Sequence, residues 1–124
     1  MTFAKRVFTI AGIWGLVVVA PLFFLQHLVE RQSPPPITHP EFYYGFVAVT
    51  TAWQIAFLII GSDPVRLRPL MPAAVLEKVG WVGTVAVLFV LGRVPPSALI
   101  FGGIDSLLGV LFVMAFVKTA AIQA

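Results

Sequence analysis

Asp105 is the one charged residue in an apolar run from Ala98 to Val117. It lies about seven positions into that run, roughly 10 Å deep at about 1.5 Å per residue. A carboxyl at that depth is costly, so it is expected to face the interior of a bundle as a proton relay, a ligand counter-ion or a polar anchor. Three- and four-residue steps around it reach Ala98, Phe101, Gly102, Leu108, Gly109 and Phe112, a face of small packing positions and aromatics. Lys78 and Lys118 are read toward one end of the bundle and Arg93 toward the other. No cation is therefore expected level with Asp105, which should be neutral and donate a hydrogen bond to another helix. Glu77 is the second candidate; its face holds Ala73, Ala74, Gly80, Trp81 and Thr84, whereas Lys78 is expected to point elsewhere and snorkel to the interface. Thr50 and Gln54 stand one turn apart on another run, with Gln54 at a depth similar to Glu77. A Gln54 to Glu77 hydrogen bond across the connecting turn is the expected structural arrangement, because an apolar medium offers these groups no water. The alternative is a shared cavity lined by Trp53, Phe57, Trp81, Phe101 and Phe112, in which the carboxylates bind an apolar amine or polarise a lipid-like substrate.

Other chemistries find little support. His27 with Glu30, and His39 with Glu41, offer nitrogen and oxygen ligands, but neither spacing is specific for zinc, and no metal or other cofactor is expected. The chain has no cysteine, which removes thiolate nucleophiles, Cys-ligated zinc and iron–sulfur clusters. It carries no glycine-rich phosphate loop or nucleophile elbow. Its eight basic residues are spread along the chain rather than gathered in a patch, so no nucleic-acid partner is expected.

The elements that must position these residues follow from composition. Of 124 residues, 60% are hydrophobic and 10% charged, against roughly 25% charged in soluble domains. Four apolar runs, at about 7–28, 42–61, 72–92 and 98–117, are each long enough to cross a hydrocarbon core of about 30 Å. The expectation is an all-α integral membrane four-helix bundle, a single domain over 1–124. The linker from Glu30 to Ile37 is expected to be non-helical and polyproline II-like through Pro34, Pro35 and Pro36. Thr38-His39-Pro40-Glu41 reads as a capping box, with Tyr43 and Tyr44 in an interfacial belt. Residues 61–72 read as a rigid basic turn that makes runs two and three a short hairpin. Lys5, Arg6, Arg66, Arg68, Lys78 and Lys118 fall on one side, leaving Arg31 and Arg93 on the other, so both termini are expected to be cytoplasmic. Ala48, Ala52 and Ala56, like Gly102 and Ser106, are spaced for close helix contact within or between protomers.

Three stretches, Ala52 to Phe57, Asp63 to Met71 with Glu77-Lys78, and Ile104 to Phe112, resemble a group of small bacterial four-helix membrane proteins without an established activity. The resemblance spans about residues 42 to 117 and implies a multi-pass protein of the bacterial inner membrane. In layout the chain is also similar to the small multidrug resistance transporters, whose functional glutamate lies in the first helix, where this chain has no carboxylate. It is similar again to the EXPERA group of sterol isomerases, whose acidic residues face an aromatic pocket as Glu77 and Asp105 would. The leading expectation is a non-catalytic interaction or accessory component contacting membrane lipid, as a homodimer or with a partner membrane protein. The alternatives are a lipophilic-ligand-binding or isomerase-like protein using Asp105 and Glu77, and a proton-coupled efflux subunit. The intramembrane polar network of Asp105, Glu77, Gln54, Thr50, Trp53 and Trp81 is the candidate site for all of them. A continuous cavity reaching both carboxylates favours ligand binding, and a dry, tightly packed bundle favours the accessory role.

Overall fold

Proline decides where the first apolar run stops being an α-helix. The computed structural model describes residues 2–123, with side-chain surroundings through residue 120. Met1 and Ala124, the ends of the expected domain, lie outside the described residues. Helix α1 (Phe3–Val19) is capped by Thr2, whose hydroxyl accepts from the Lys5 N–H at 3.3 Å. Pro21 has no N–H to continue the ladder, and the chain tightens into a 3-10 turn over Ala20–Phe24 before resuming as α2 (Gln26–Gln32). The single helix expected at about 7–28 is therefore two helices joined by a turn. Glu30, Arg31 and Gln32, expected in the linker, belong to α2, because the steric restriction from Pro34 reaches back only to Ser33. Residues 34–37 are non-helical, as expected, and the Pro34–Pro35 peptide is cis.

Helix α3 (Pro40–Ser62) places Pro40 in its first turn. The expected capping box does not form. His39 is the cap residue, so Thr38 stands one position too early, and its hydroxyl pairs with His39 Nδ1 at 3.0 Å. A loop follows in which Asp63 Oδ1 accepts from the Arg66 N–H at 3.3 Å, then a 3-10 turn over Arg68–Leu70 leads into α4 (Met71–Val90). Helix α4 ends two residues before the expected Gly92. That glycine has φ 71°, and the amides of Gly92 and Arg93 turn back to the carbonyls of Phe89 and Leu88. Helix α5 (Ala98–Gln123) begins after Pro95-Pro96, at the position expected. Every element among the described residues is helical, and four stretches are long and apolar enough to cross a membrane: Phe3–Phe24, Pro40–Ser62, Arg68–Val90 and Ala98–Ala120.

The packing order departs from the chain order. Helix α1 lies against α3, α4 lies against α5, and α1 with α5 joins the two pairs, whereas the consecutive helices α3 and α4 scarcely touch. Glycine notches explain the first pairing: a Cβ on Gly12 would sit 2.7 Å from Leu58, and one on Gly61 2.7 Å from Thr9 Oγ1, so only glycine lets these backbones approach so closely. Arg68 explains why α4 leaves α3. Its Nε donates to the Phe116 carbonyl at 2.9 Å and its guanidinium lies 3.7 Å above the Phe116 ring, drawing the start of α4 to α5. The core sits in the half of the bundle that holds this loop and both helical termini. There Phe112 stacks on Phe8 at 4.3 Å and meets Phe57 edge-on at 5.0 Å, above Ile60, Met71 and Ala74. The outer surface is apolar, with Ile10, Val17, Ile59, Leu76, Ile100 and Leu107 exposed, while Gln54 and Lys78 are buried. Ala48 and Ala52 lie on that exposed surface, and Ala56 is half-buried.

Candidate functional site

Because α3 and α4 diverge, a cavity of about 680 Å³ opens between α1, α3, α4 and α5. It runs from Val29 and Ser33, at the proline-rich end of the bundle, to Gln54, Glu77, Lys78 and Asp105 at its foot. The chain's three tryptophans, Trp14, Trp53 and Trp81, all line it. Phe46 stacks on Trp81 at 5.4 Å, and Phe101 supplies another face from α5. The walls are thus aromatic, and ionisable groups are confined to one end.

Lys78 organises that end. Its ammonium donates to Asp105 Oδ1 at 3.1 Å, lies 3.3 Å from Glu77 Oε2, and stands 5.2 Å over the Phe57 ring. The residue is only 4% exposed. This overturns the expectation that Lys78 snorkels away and that Asp105 lacks a cation; here Asp105 accepts from an ammonium rather than donating. The cause is the antiparallel register of α4 and α5. A Cβ on Gly109 would lie 3.3 Å from Lys78 Cβ, and one on Gly102 3.5 Å from Val85 Cγ1, so Lys78 stands opposite Gly109. Asp105 is one turn away, about 6 Å along the helix, which the lysine stem spans. The missing side chain at Gly109 leaves room for that stem. Asp105 does face the bundle interior, as its neighbours on the helix implied, beside buried Gly102, Leu108 and Phe112.

Gln54 is 2% exposed, but it does not meet Glu77. Its Nε2 donates to the Thr50 carbonyl at 2.9 Å, one turn back on its own helix, and Oε1 has no hydrogen-bond partner. The Gln54 to Glu77 bond expected across the turn is absent because Arg68 carries α4 toward α5. Gln54 is instead held by α1. A Cβ on Gly15 would collide with Gln54 Oε1, so Gly15 makes the notch in which the amide sits. Glu77 Oε2 is likewise buried without a hydrogen bond, although it is ion-paired with the Lys78 ammonium at 3.3 Å. Thr50 and Trp53 line the cavity from α3, and Trp53 also lies 6.2 Å from Phe57. All six expected polar-network residues therefore line one cavity. Sequence reasoning missed Gly15 and the site role of Lys78. The Glu77-Lys78 adjacency inside an apolar run was the available signal for the lysine.

At the mouth, a hydrogen-bonded clamp fixes α2. Tyr43 donates to the Leu22 carbonyl at 2.6 Å, a group near the Pro21 break, and Tyr44 donates to Gln26 Oε1 at 2.8 Å. Gln26 Nε2 and the Ile37 N–H both donate to Glu30 Oε1, at 3.0 and 3.2 Å. His27 Nδ1 lies 3.6 Å from Glu30 Oε2 with its own side chain exposed. The Gln26 amide above all, with the Ile37 amide and His27, holds the Glu30 carboxyl below its ordinary range. His39 stacks on Phe42 at 5.5 Å. Among the described residues no three His, Asp or Glu side chains gather as metal ligands.

Chemically, the foot of the cavity offers acceptors in an apolar enclosure: an amide oxygen and a carboxylate oxygen, beside an ammonium already engaged. No family model matches the chain, and no curated protein or solved structure matches it.

Proposed function

We propose that this chain is a multi-pass protein of the bacterial inner membrane that binds a small lipophilic molecule within its bundle, without catalysing a reaction on it. Four apolar helices, an apolar outer surface and an inward-facing polar cluster support the membrane setting. The observation that carries the binding reading is the 680 Å³ cavity, which extends from the α2 mouth to both Glu77 and Asp105. Cavities of this size with mostly apolar walls and a few convergent polar groups suit drug-sized ligands. A tightly packed bundle would have supported the accessory role instead. The distribution of basic residues supports cytoplasmic termini, with the cavity mouth on the opposite side.

Native mass spectrometry of the protein extracted with its lipids tests this. The wild type should retain a molecule of constant mass. Val18→Phe with Thr84→Phe, which fills the cavity from α1 and α4, should reduce that retention at least 10-fold while circular dichroism stays unchanged. Bare protein, or retention indifferent to the two phenylalanines, would refute the reading.

A further inference from the structure

The donor and acceptor inventory at the foot of the cavity specifies the head group of the molecule it would hold. Within that group Lys78 is the one cation and Glu77 and Asp105 are the two carboxylates, so the formal balance is one negative charge. The Lys78 ammonium donates to Asp105 Oδ1 and is ion-paired with Glu77 at 3.3 Å, so its charge is shared between the two carboxylates. Gln54 spends its amide N–H on the Thr50 carbonyl. What remains, buried and without a hydrogen bond, is Gln54 Oε1 on α3 and Glu77 Oε2 on α4, both belonging to residues that line the cavity from opposite walls. Both are acceptors. Buried polar atoms left unpaired are costly, and a group able to satisfy these two must donate. No arginine lines the cavity, and its one cation already stands between two carboxylates, so a carboxylate or phosphate head would meet like charge. Trp53, Trp81, Phe46 and Phe101 line the approach, and aromatic faces attract cations as well as apolar bodies.

We infer that the ligand is an apolar-bodied amine, bound as its ammonium, whose N–H groups reach Gln54 Oε1 and Glu77 Oε2. This rests on the binding reading above and names its ligand class. The ammonium restores charge neutrality around Lys78 and satisfies both orphaned oxygens at once. Neutral alcohols of the same shape keep the apolar contacts and one donor but not the charge, and anions lose both.

Three water-soluble probes that share a phenylbutyl body isolate the head group: 4-phenylbutylammonium, 4-phenylbutanol and 4-phenylbutanoate. Binding to the full chain in phosphatidylcholine nanodiscs can be read from intrinsic fluorescence, since every tryptophan of the chain lines the cavity. The ammonium should bind at least 10-fold more tightly than the alcohol, and the carboxylate most weakly. In Glu77→Gln the preference for the ammonium over the alcohol should fall to within about threefold; in Gln54→Leu ammonium binding should weaken at least threefold. Should Glu77→Gln not fold, Gln54→Leu carries the same comparison. Alcohol binding that matches ammonium binding, a carboxylate preference, or an ammonium preference that survives both substitutions would overturn the head-group inference alone. A signal from none of the three probes, or one that persists in Val18→Phe with Thr84→Phe, would overturn the binding reading beneath it.

Discussion

Lys78 stands between two carboxylates on different helices, and its removal should be felt more than any substitution on the apolar surface. Lys78→Met leaves Glu77 and Asp105 facing each other without a cation. Breaking a buried pair by deleting one partner costs about 3–5 kcal/mol, and the cost here should fall at the lower end, because the Asp105 side chain is 20% exposed and can be partly solvated. Adding Asp105→Leu should recover most of the loss, since it removes one of the two stranded charges. Reversible unfolding of the detergent-solubilised protein measures both; a single variant as stable as wild type would show that the ion pair holds nothing. Gly15 gives a sharper test of geometry. Gly15→Ala places a methyl where the Gln54 amide sits, so either the amide or α1 must move, at about 1–3 kcal/mol. Gly45→Ala, at an exposed position with nothing within 4 Å, should be neutral or slightly stabilising. Equal effects of the two substitutions would contradict the notch.

Among the elements, α2 is tied to the linker through a carboxylate, Glu30, and that attachment depends on pH. Glu30 has its carboxyl held below the ordinary value of 4.5 by the Gln26 amide first, then by the Ile37 N–H and His27. A carboxylate depressed in the folded state contributes stability that is complete above its unfolded pKa and is lost as pH falls through the folded one. The closure of α2 onto the linker should therefore be intact at neutral pH and loosen below about pH 4.5, the range where the unfolded glutamate titrates. Amide exchange at Ile37 is the direct readout: protection should fall in that acid range in the wild type. In Glu30→Gln it should be weaker at neutral pH and flat with acidification. Protection at Ile37 that rises on acidification would contradict the sign. The clamp also sets the position of Val29 of α2, which lines the cavity mouth.

At the scale of the molecule, the two ends of the bundle differ in kind. Lys118 lies 4.2 Å over the Phe3 ring and Arg68 over Phe116, so the helical termini and the α3–α4 loop share one end, while α2 and the linker form the other. Basic residues collect at the first end, which predicts that end to be cytoplasmic. Reporter fusions at both termini should be active only as cytoplasmic reporters, and a label at Arg66 should be protected from an external reagent. A periplasmic signal at either terminus would reverse the orientation and place the cavity mouth inside the cell.

Sequence alone determined the number of apolar spans, the proline-rich turns that separate them and the inward direction of Asp105, Glu77 and Gln54, but not the break at Pro21 inside the first span. Those properties follow from local rules: a run of apolar residues has a length, proline lacks a donor, and a polar group avoids an apolar surface. Even there one residue of register mattered, since Thr38 fails as a cap only because His39 takes the position. The tertiary structure decided which helix each polar face meets. Whether Gln54 found Glu77 or Thr50, and whether Lys78 reached the interface or Asp105, depended on the notches at Gly12, Gly15 and Gly109 and on Arg68 bridging to Phe116, residues far apart in the chain. Such choices are pairwise and long-range. No periodicity within one helix encodes them, and the cavity exists because they drew α4 to α5 and left α3 with α1.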